Sequence, residues 1–547
     1  MNDAGAGAAR TGSDALGRVF AAVKSGDTPT ATRLAVGLLE RGIEHPLLLN
    51  LRALSFEQVG RFKESLADLR RAHVLAPKDP TILNACGLTL MRMERWAEAV
   101  RCYDQALALN PDFGQAWFNR GYVLERLGEV AAAAAAYARA AEIHPQNVQA
   151  WVNAATLAAR RGDAELTHRY AERALAVQPD YPTAVLALAS VELAKPEVAE
   201  ARLRGLLKQT LTPFDKALAL GQLADVLDIQ DRPAQAFDAY SASNGVFRDA
   251  LAQRFADPGI DTIPEVLRWL TAWAEGLGPG GWVEDPGDEA SPASPSRHVF
   301  LLGFPRSGTT LMESFLATHP DVVSLEERET LNGAATAFLT RPADLNRLAG
   351  AKGAELEALR ADYWERVRGF GVEPAGKIFI DKHPFNTLKL PVIRKLFPRA
   401  RLIFARRDPR DVVLSCFRRR FNFNATTFLF LDLQATAANY DSTMRLADVL
   451  TAKLALEPFT LAYEELIADF EAVARRACEF IGADWRAELA DFAGRARRGE
   501  VASASSAQIA RGLYADGAGH WRRYRAQLAP VLPILAPWVE RFGYPAD

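Results

Sequence analysis

A proline returns every 34 residues in this sequence, at Pro77, Pro111, Pro145 and Pro179. Other residues keep the same interval: Gly87 with Gly121, Gly128 with Gly162, Tyr103 with Tyr137, Trp117 with Trp151, and Ala106 with Ala140 and Ala174. Such a period marks a repeat architecture, in which one unit cannot bury its own apolar face and must stack on its neighbours. Apolar residues within a unit fall at helical spacing, as at Trp117, Val123, Leu124 and Leu127, so the unit is helical. The recurring proline lacks the N–H that a continuing helix needs, and it closes the second helix of each unit. Gly121 and Ala140 are small where two helices must approach closely.

This register resembles the tetratricopeptide repeat, a pair of antiparallel helices. The resemblance runs from about residue 30 to about residue 210, with a weaker unit near Lys216–Asn244. It implies an α-solenoid whose concave face holds a protein partner or substrate, or which acts as a scaffold or dimerisation arm. The repeated tryptophans read as packing residues.

The pattern breaks at Glu275–Arg297, which is rich in Gly, Pro, Ser and acidic residues and has no helical period. It reads as an exposed linker. Beyond it, His298–Phe304, Ile378–Ile380 and Leu402–Ala405 are short apolar runs consistent with buried parallel strands. Helical stretches at Leu311–Thr318 and Leu388–Phe397 separate them, which points to βαβ units. The expected fold is therefore an N-terminal α-solenoid followed by an α/β domain with a central parallel sheet. The expected division is 1–29 for an N-terminal segment and first helix, and 30–250 for the repeat array. Residues 251–297 would be a connecting helix and linker, and 298–547 the α/β domain.

Across 547 residues the formal net charge is -2, so no global field draws nucleic acid or acidic membranes, and any anion site must be local. The four cysteines, Cys86, Cys102, Cys416 and Cys478, form no CxxC pair and have no histidine cluster beside them. Neither a disulfide framework nor a metal site is expected. Met1–Asp14 lacks the basic start and apolar stretch of a signal peptide, and no apolar run reaches the length of about 18 residues that a membrane span needs. A cytoplasmic, soluble protein is the expectation.

The first strand leads into Pro305-Arg306-Ser307-Gly308-Thr309-Thr310 and then a helix. A strand, tight loop and helix N-terminus form an anion site, because the first-turn N–H groups are unpaired and the helix dipole adds about half a positive charge. Gly308 lets the backbone come close to a phosphate, Arg306 adds forked donors, and Thr309 and Thr310 add hydroxyls. Gly303 and Gly308 have the spacing of a nucleotide-hydrolysing loop, but Thr309 stands where that motif has Lys. No strand ending in Asp is suitably placed for Mg²⁺, although Asp381 follows one. The loop suits a phosphate without a metal-bridged triphosphate.

A second basic motif, Arg406-Arg407-Asp408-Pro409-Arg410-Asp411-Val412-Val413-Leu414-Ser415 with Arg418-Arg419-Arg420, follows the third strand. On a helix beginning near Pro409, Ser415 and Arg419 are four residues apart and share a face. Arg407 stands at the strand end. Two anion sites in one α/β domain suit a nucleotide phosphorylated at both its 5′ and 3′ positions.

With both motifs in view, residues from about 298 to 547 resemble the sulfotransferase family, in particular tyrosylprotein sulfotransferases, and the whole layout is similar to repeat–sulfotransferase fusions. The resemblance implies that the sulfate-donor nucleotide PAPS (3′-phosphoadenylyl sulfate) is the co-substrate and leaves as adenosine 3′,5′-bisphosphate, with no metal required. It implies that Arg306, Ser307, Gly308, Thr309 and Thr310 bind the 5′-phosphosulfate. Arg407, Ser415 and Arg419 would hold the 3′-phosphate, and Tyr463 would touch the nucleotide. The segment containing Ser505, Ser506, Gln508 and Arg511, followed by Trp521, would close over the donor. Here Gly512 stands where the family usually has Pro, Arg511 replaces Lys, and His520 replaces a basic residue. His319-Pro320 through Glu326-Glu327 carries the family's base to Glu327, and the family's lysine falls at Lys382.

These expectations describe in-line attack of an acceptor hydroxyl on sulfur, with Glu327 as base and Lys382 and Arg306 stabilising the developing charge. His383 is the competing base, since imidazole titrates near neutrality. Glu326 and Glu329 read as a charged loop face. The acceptor is a peptide tyrosine, a glycan, a lipid or a small phenol, and a homodimer is compatible with the array. The rival functions are a phosphate-loop kinase and a non-catalytic repeat adaptor with a nucleotide-binding domain.

Overall fold

Each 34-residue unit folds as two antiparallel helices, and the repeated residues explain one another. In the computed structural model, which describes residues 3–256, 262–278, 294–487, 489 and 517–547, the pairs are Pro46–Gln58 with Phe62–Leu75, Pro80–Arg92 with Trp96–Leu109, Gly114–Leu127 with Val130–Ile143, and Val148–Arg160 with Ala164–Val177. Gly87 and Gly121 face the buried rings of Tyr103 and Tyr137. A Cβ at these positions would lie 2.5 Å and 2.9 Å from those rings, so glycine and tyrosine recur together. The Trp117 indole donates to the carbonyl of Pro111 at 2.8 Å, and Trp151 repeats the bond to Pro145 at 3.1 Å. The tryptophans are packing residues that also satisfy a carbonyl beyond the preceding helix end.

The chain forms two compact units, Met1–Ala184 and Val185–Asp547. The second unit contains the helices Pro196–Leu206, Pro213–Ile229, Pro233–Leu251 and Ile263–Glu275 together with a five-stranded sheet. The strands are β1 (Arg297–Gly303), β2 (Val322–Glu326), β3 (Ile378–Lys382), β4 (Arg401–Arg406) and β5 (Phe459–Ala462). They run in the order β2-β3-β1-β4-β5, and all pairings are parallel. β2 and β5 are short and were not distinct as apolar runs in the sequence. The second expected helical stretch is divided into a 3₁₀ turn, Pro384–Lys389, and a helix, Leu390–Leu396.

Helices cover both faces of the sheet, as a parallel sheet requires. Side chains alternate between two cores. Phe300, Leu302 and Phe379 join one core with Leu267 and Leu270, while Val299, Leu301 and Ile380 join the other with Met312 and Phe315. That alternation decides the fate of two adjacent polar residues in β3. Asp381 enters the first core, accepting hydrogen bonds from Thr330 at 2.7 Å and Tyr363 at 2.8 Å. Lys382 emerges on the opposite side, beside the helix that follows β1. Asp381 is thus spent on structure and does not face the loop as a Mg²⁺ ligand would.

No helix among the described residues is long and apolar enough to cross a membrane. All four cysteines are free thiols.

Candidate active site

β1 lies at the centre of the sheet, where the chain turns outward in both directions to β3 and β4. Ligands of open α/β sheets bind beyond the carboxyl ends of the strands at such a switch point. Here β1 ends at Gly303, and the loop runs to Gly308, which caps the helix Thr309–Leu316. Gly308 has φ 97°, and a Cβ there would lie 2.8 Å from the Tyr463 ring. Tyr463, immediately after β5, therefore walls the loop. Arg306 also has a left-handed backbone, with φ 72°. A non-glycine residue there costs about 1–2 kcal/mol, and such strain concentrates at functional sites.

The structure brings together most residues of the two anion motifs. Arg306 Nε donates to Ser415 Oγ at 3.1 Å, and Arg407 Nη1 donates to the Arg306 carbonyl at 3.2 Å. The Arg407 guanidinium lies 4.8 Å from the centre of the Tyr463 ring and also donates to the Gly517 carbonyl. Its Nε is buried and meets no acceptor, an orphaned donor that an anionic group would satisfy.

Arg419 departs from expectation. The helix Pro409–Arg418 ends one residue before it, and Arg419 has an extended backbone (φ −93°, ψ 142°) and an exposed side chain. It does not share a helical face with Ser415. Arg418 turns inward instead, pairing with Asp228 on the helix Pro213–Ile229.

Across the loop stands a second cluster, at the ends of β2 and β3. Lys382 is fully buried, with Nζ 2.9 Å from Glu327 Oε1, 3.1 Å from Glu326 Oε1 and 3.4 Å from Glu313 Oε2. Thr310 Oγ1 lies 3.4 Å away. Glu327 has a left-handed backbone, with φ 47°. Burial raises the Glu327 carboxyl, but the charge and hydrogen bond of Lys382, together with His383 and Arg306, outweigh it and hold the group below its ordinary value. His383 Nε2 lies 3.3 Å from Glu329, while its buried Nδ1 has no partner. Lys389 also pairs with Glu329, at 2.6 Å. Glu329 is driven down to about 2, first by its hydrogen bond to His383 and, despite burial, by Lys389.

Residues 298–487 match the model of the sulfotransferase family, and residues 85–148 and 152–216 match a tetratricopeptide-repeat model. The chain carries a sulfotransferase-family domain. Protein-tyrosine sulfotransferase A of Caenorhabditis elegans is 26% identical over 263 residues, covering 46% of this chain and 67% of that protein. Protein-tyrosine sulfotransferase 1 of Danio rerio is 27% identical over 265 residues, covering 45% of this chain and 72% of that protein. An uncharacterized protein of Aquifex aeolicus (strain VF5) is 27% identical over 254 residues, 44% of this chain, and the match spans only 32% of that protein's length.

Parts of the sulfotransferase-family domain that the sequence did not single out now have places. Glu313 is buried on the loop helix and faces Lys382. Its signal was a lone carboxylate among Leu311, Met312 and Phe315. Glu326 and Glu329, read as a charged face, instead grip Lys382 and His383. Asp411 accepts the backbone N–H groups of Gly519 at 2.6 Å and Trp521 at 2.8 Å, tying the C-terminal segment to the second motif. His520 turns away from the loop toward Arg418 and Asp228. Ser505, Ser506, Gln508 and Arg511 lie outside the described residues. Among the described residues, no group of three or more His, Cys, Asp and Glu is arranged to hold a metal ion.

Proposed function

We propose that this chain transfers a sulfuryl group from PAPS to an acceptor hydroxyl. The observation that carries the reading is the pair of clusters flanking one phosphate-type loop: Arg306, Ser415, Arg407 and Tyr463 on one side, Lys382 and Glu327 on the other. The first suits the 3′-phosphate and nucleotide of the donor. The loop Arg306–Thr310 suits the 5′-phosphosulfate, and the second cluster suits chemistry at sulfur. Arg419, exposed beyond its helix, contributes less than Arg407 in this reading.

The acceptor oxygen attacks sulfur in line. A new O–S bond forms as the S–O bond to the 5′-phosphate breaks, and adenosine 3′,5′-bisphosphate leaves. Lys382 and Arg306 stabilise the charge that builds on the bridging and sulfuryl oxygens. Glu327 accepts the hydroxyl proton. Despite burial, the charge and hydrogen bond of Lys382 hold the Glu327 carboxyl below its ordinary value, which favours the ionised form a base needs. Engagement of the ammonium by the donor would loosen that pair and raise the basicity of Glu327. His383 is the less suitable base because Glu329 takes its Nε2 and its other ring nitrogen, Nδ1, is buried. A peptide or protein tyrosine held by the repeat array fits as acceptor, by likeness to the named relatives.

Calorimetric titration tests the donor assignment. Adenosine 3′,5′-bisphosphate should bind without Mg²⁺ and more tightly than ATP, and Arg407→Ala should weaken it. Tighter, Mg²⁺-dependent ATP binding would favour a kinase. Labelled PAPS incubated with a cell extract should label an acceptor that mass spectrometry can identify, and absence of all transfer would favour an adaptor.

A further inference from the structure

The Lys382 cluster carries a charge imbalance that the transfer step does not use. One ammonium is shared by Glu313, Glu326 and Glu327. Fully ionised, the four groups sum to two negative charges, which Arg306 only partly offsets, beside the place proposed for an anionic phosphosulfate. Like charges at such range in a water-poor site strongly oppose binding. One proton on the cluster halves the excess.

The three carboxyls are unequal holders of that proton. Glu327 and Glu326 side chains are 54% and 24% exposed and lie nearest the ammonium. Glu313 is 4% exposed and farthest from it, and its Oε2 accepts no hydrogen bond. The groups facing Glu313 are Lys382 on β3 and Glu326 and Ser324 on β2. Thr310, Arg306 and His383 bear on the same cluster through Lys382 and Glu327. Burial raises the Glu313 carboxyl, Glu326 adds to it, and Lys382 only partly offsets both, leaving it at about 7.

We propose that Glu313 sets the charge of the donor site: a nucleotide bearing a 5′-phosphosulfate binds with uptake of a proton at Glu313, and ionised Glu313 opposes binding. The inference rests on the donor reading above. Glu313 acts through Lys382 and is a positioning residue, not a catalytic one.

The test counts protons by titration calorimetry of the full chain, above neutral pH, in buffers of different ionisation enthalpy. The ligands are PAPS and adenosine 3′-phosphate. Both carry the titrating 3′-phosphate, but only PAPS extends to the Lys382 cluster, so the difference in uptake belongs to the cluster. We expect greater uptake with PAPS, and PAPS affinity falling by up to about tenfold per pH unit above neutrality relative to the 3′-phosphate. Glu313→Gln should remove both effects. Equal uptake with the two ligands in the unmodified protein overturns the inference, as does a difference that survives Glu313→Gln. The unmodified protein decides the matter by itself if the variant does not fold. If neither ligand binds, the donor reading falls and this inference with it, an outcome distinct from binding with equal uptake.

Discussion

Lys382 and Glu327 are joined twice: Nζ lies 2.9 Å from the Glu327 carboxylate, and the Glu327 backbone N–H donates to the Lys382 carbonyl at 2.7 Å. The backbone bond continues the parallel register of β2 on β3, in which Glu326 opposes Lys382. The side-chain pair is therefore aligned by the sheet itself, before any substrate arrives. Replacing Lys382 by Met leaves three carboxylates around an uncharged stem. Breaking a buried pair costs about 3–5 kcal/mol, and the half-exposed Glu327 brings the expected loss to the lower end of that range. Chemical denaturation should show the lowered stability, and transfer activity should vanish.

Glu327→Ala keeps the loop and the cluster of Arg306, Ser415, Arg407 and Tyr463 and removes the proposed base. Transfer should fall about 10²–10⁴-fold while adenosine 3′,5′-bisphosphate affinity changes little. Rate and binding measured on the same preparation separate the two effects. If Glu327→Ala keeps its rate and His383→Ala loses it, the base is His383.

Gly308→Ala places a methyl group against Tyr463 and forces a side chain into a left-handed backbone. The strain alone is about 1–2 kcal/mol. A lowered melting temperature and weakened bisphosphate binding are expected together. Tyr463→Ala in the same background should recover part of the stability by making room.

Asp228 anchors Arg418, Arg523 and Tyr524 and lies beside His520. Burial pushes its carboxyl up, but the His520 hydrogen bond, Arg418 and Tyr524 outweigh it and hold the group well below the usual range. A carboxyl whose pKa is depressed by folding stabilises the native state above its unfolded pKa, about 3.9 for Asp, and that stability is lost as pH falls. Asp228→Asn should lower the melting temperature most near neutrality, and the gap from the unmodified protein should narrow below about pH 4.

The repeat array was legible because its signal is redundant: proline, glycine, tyrosine and tryptophan each kept the 34-residue interval, and the contacts Gly87–Tyr103 and Trp117–Pro111 show why. The loop and β1, β3 and β4 were legible because unbroken apolar runs stood out, the first of them leading into a distinctive turn. β2 and β5 were not, since Val322–Glu326 and Phe459–Ala462 are short and carry polar residues. The anion cluster of Arg306, Arg407, Ser415 and Tyr463 came from linear motifs. The Lys382 cluster was only half visible, because Glu313 and Glu326 reach it through the three-dimensional meeting of a helix and two strand ends. Arg419 was misplaced because nothing in the arginine run shows that the helix closes at Arg418.

The helix pair Pro213–Ile229 and Pro233–Leu251 grips the end of the second anion motif. Asp228 and Asp225 bind Arg418 and Arg420, Asn244 donates to the Phe417 carbonyl at 2.9 Å, and Phe237 stacks on Phe417 at 5.3 Å. Modular inheritance of such a protein is therefore constrained. A crossover that exchanged the helices Pro213–Ile229 and Pro233–Leu251 would import foreign partners for Arg418 and Arg420, whereas one upstream of Val185 would leave those pairs intact. The repeats upstream of Val185 could be exchanged freely, while the last helical pair would have to be inherited with the second basic motif.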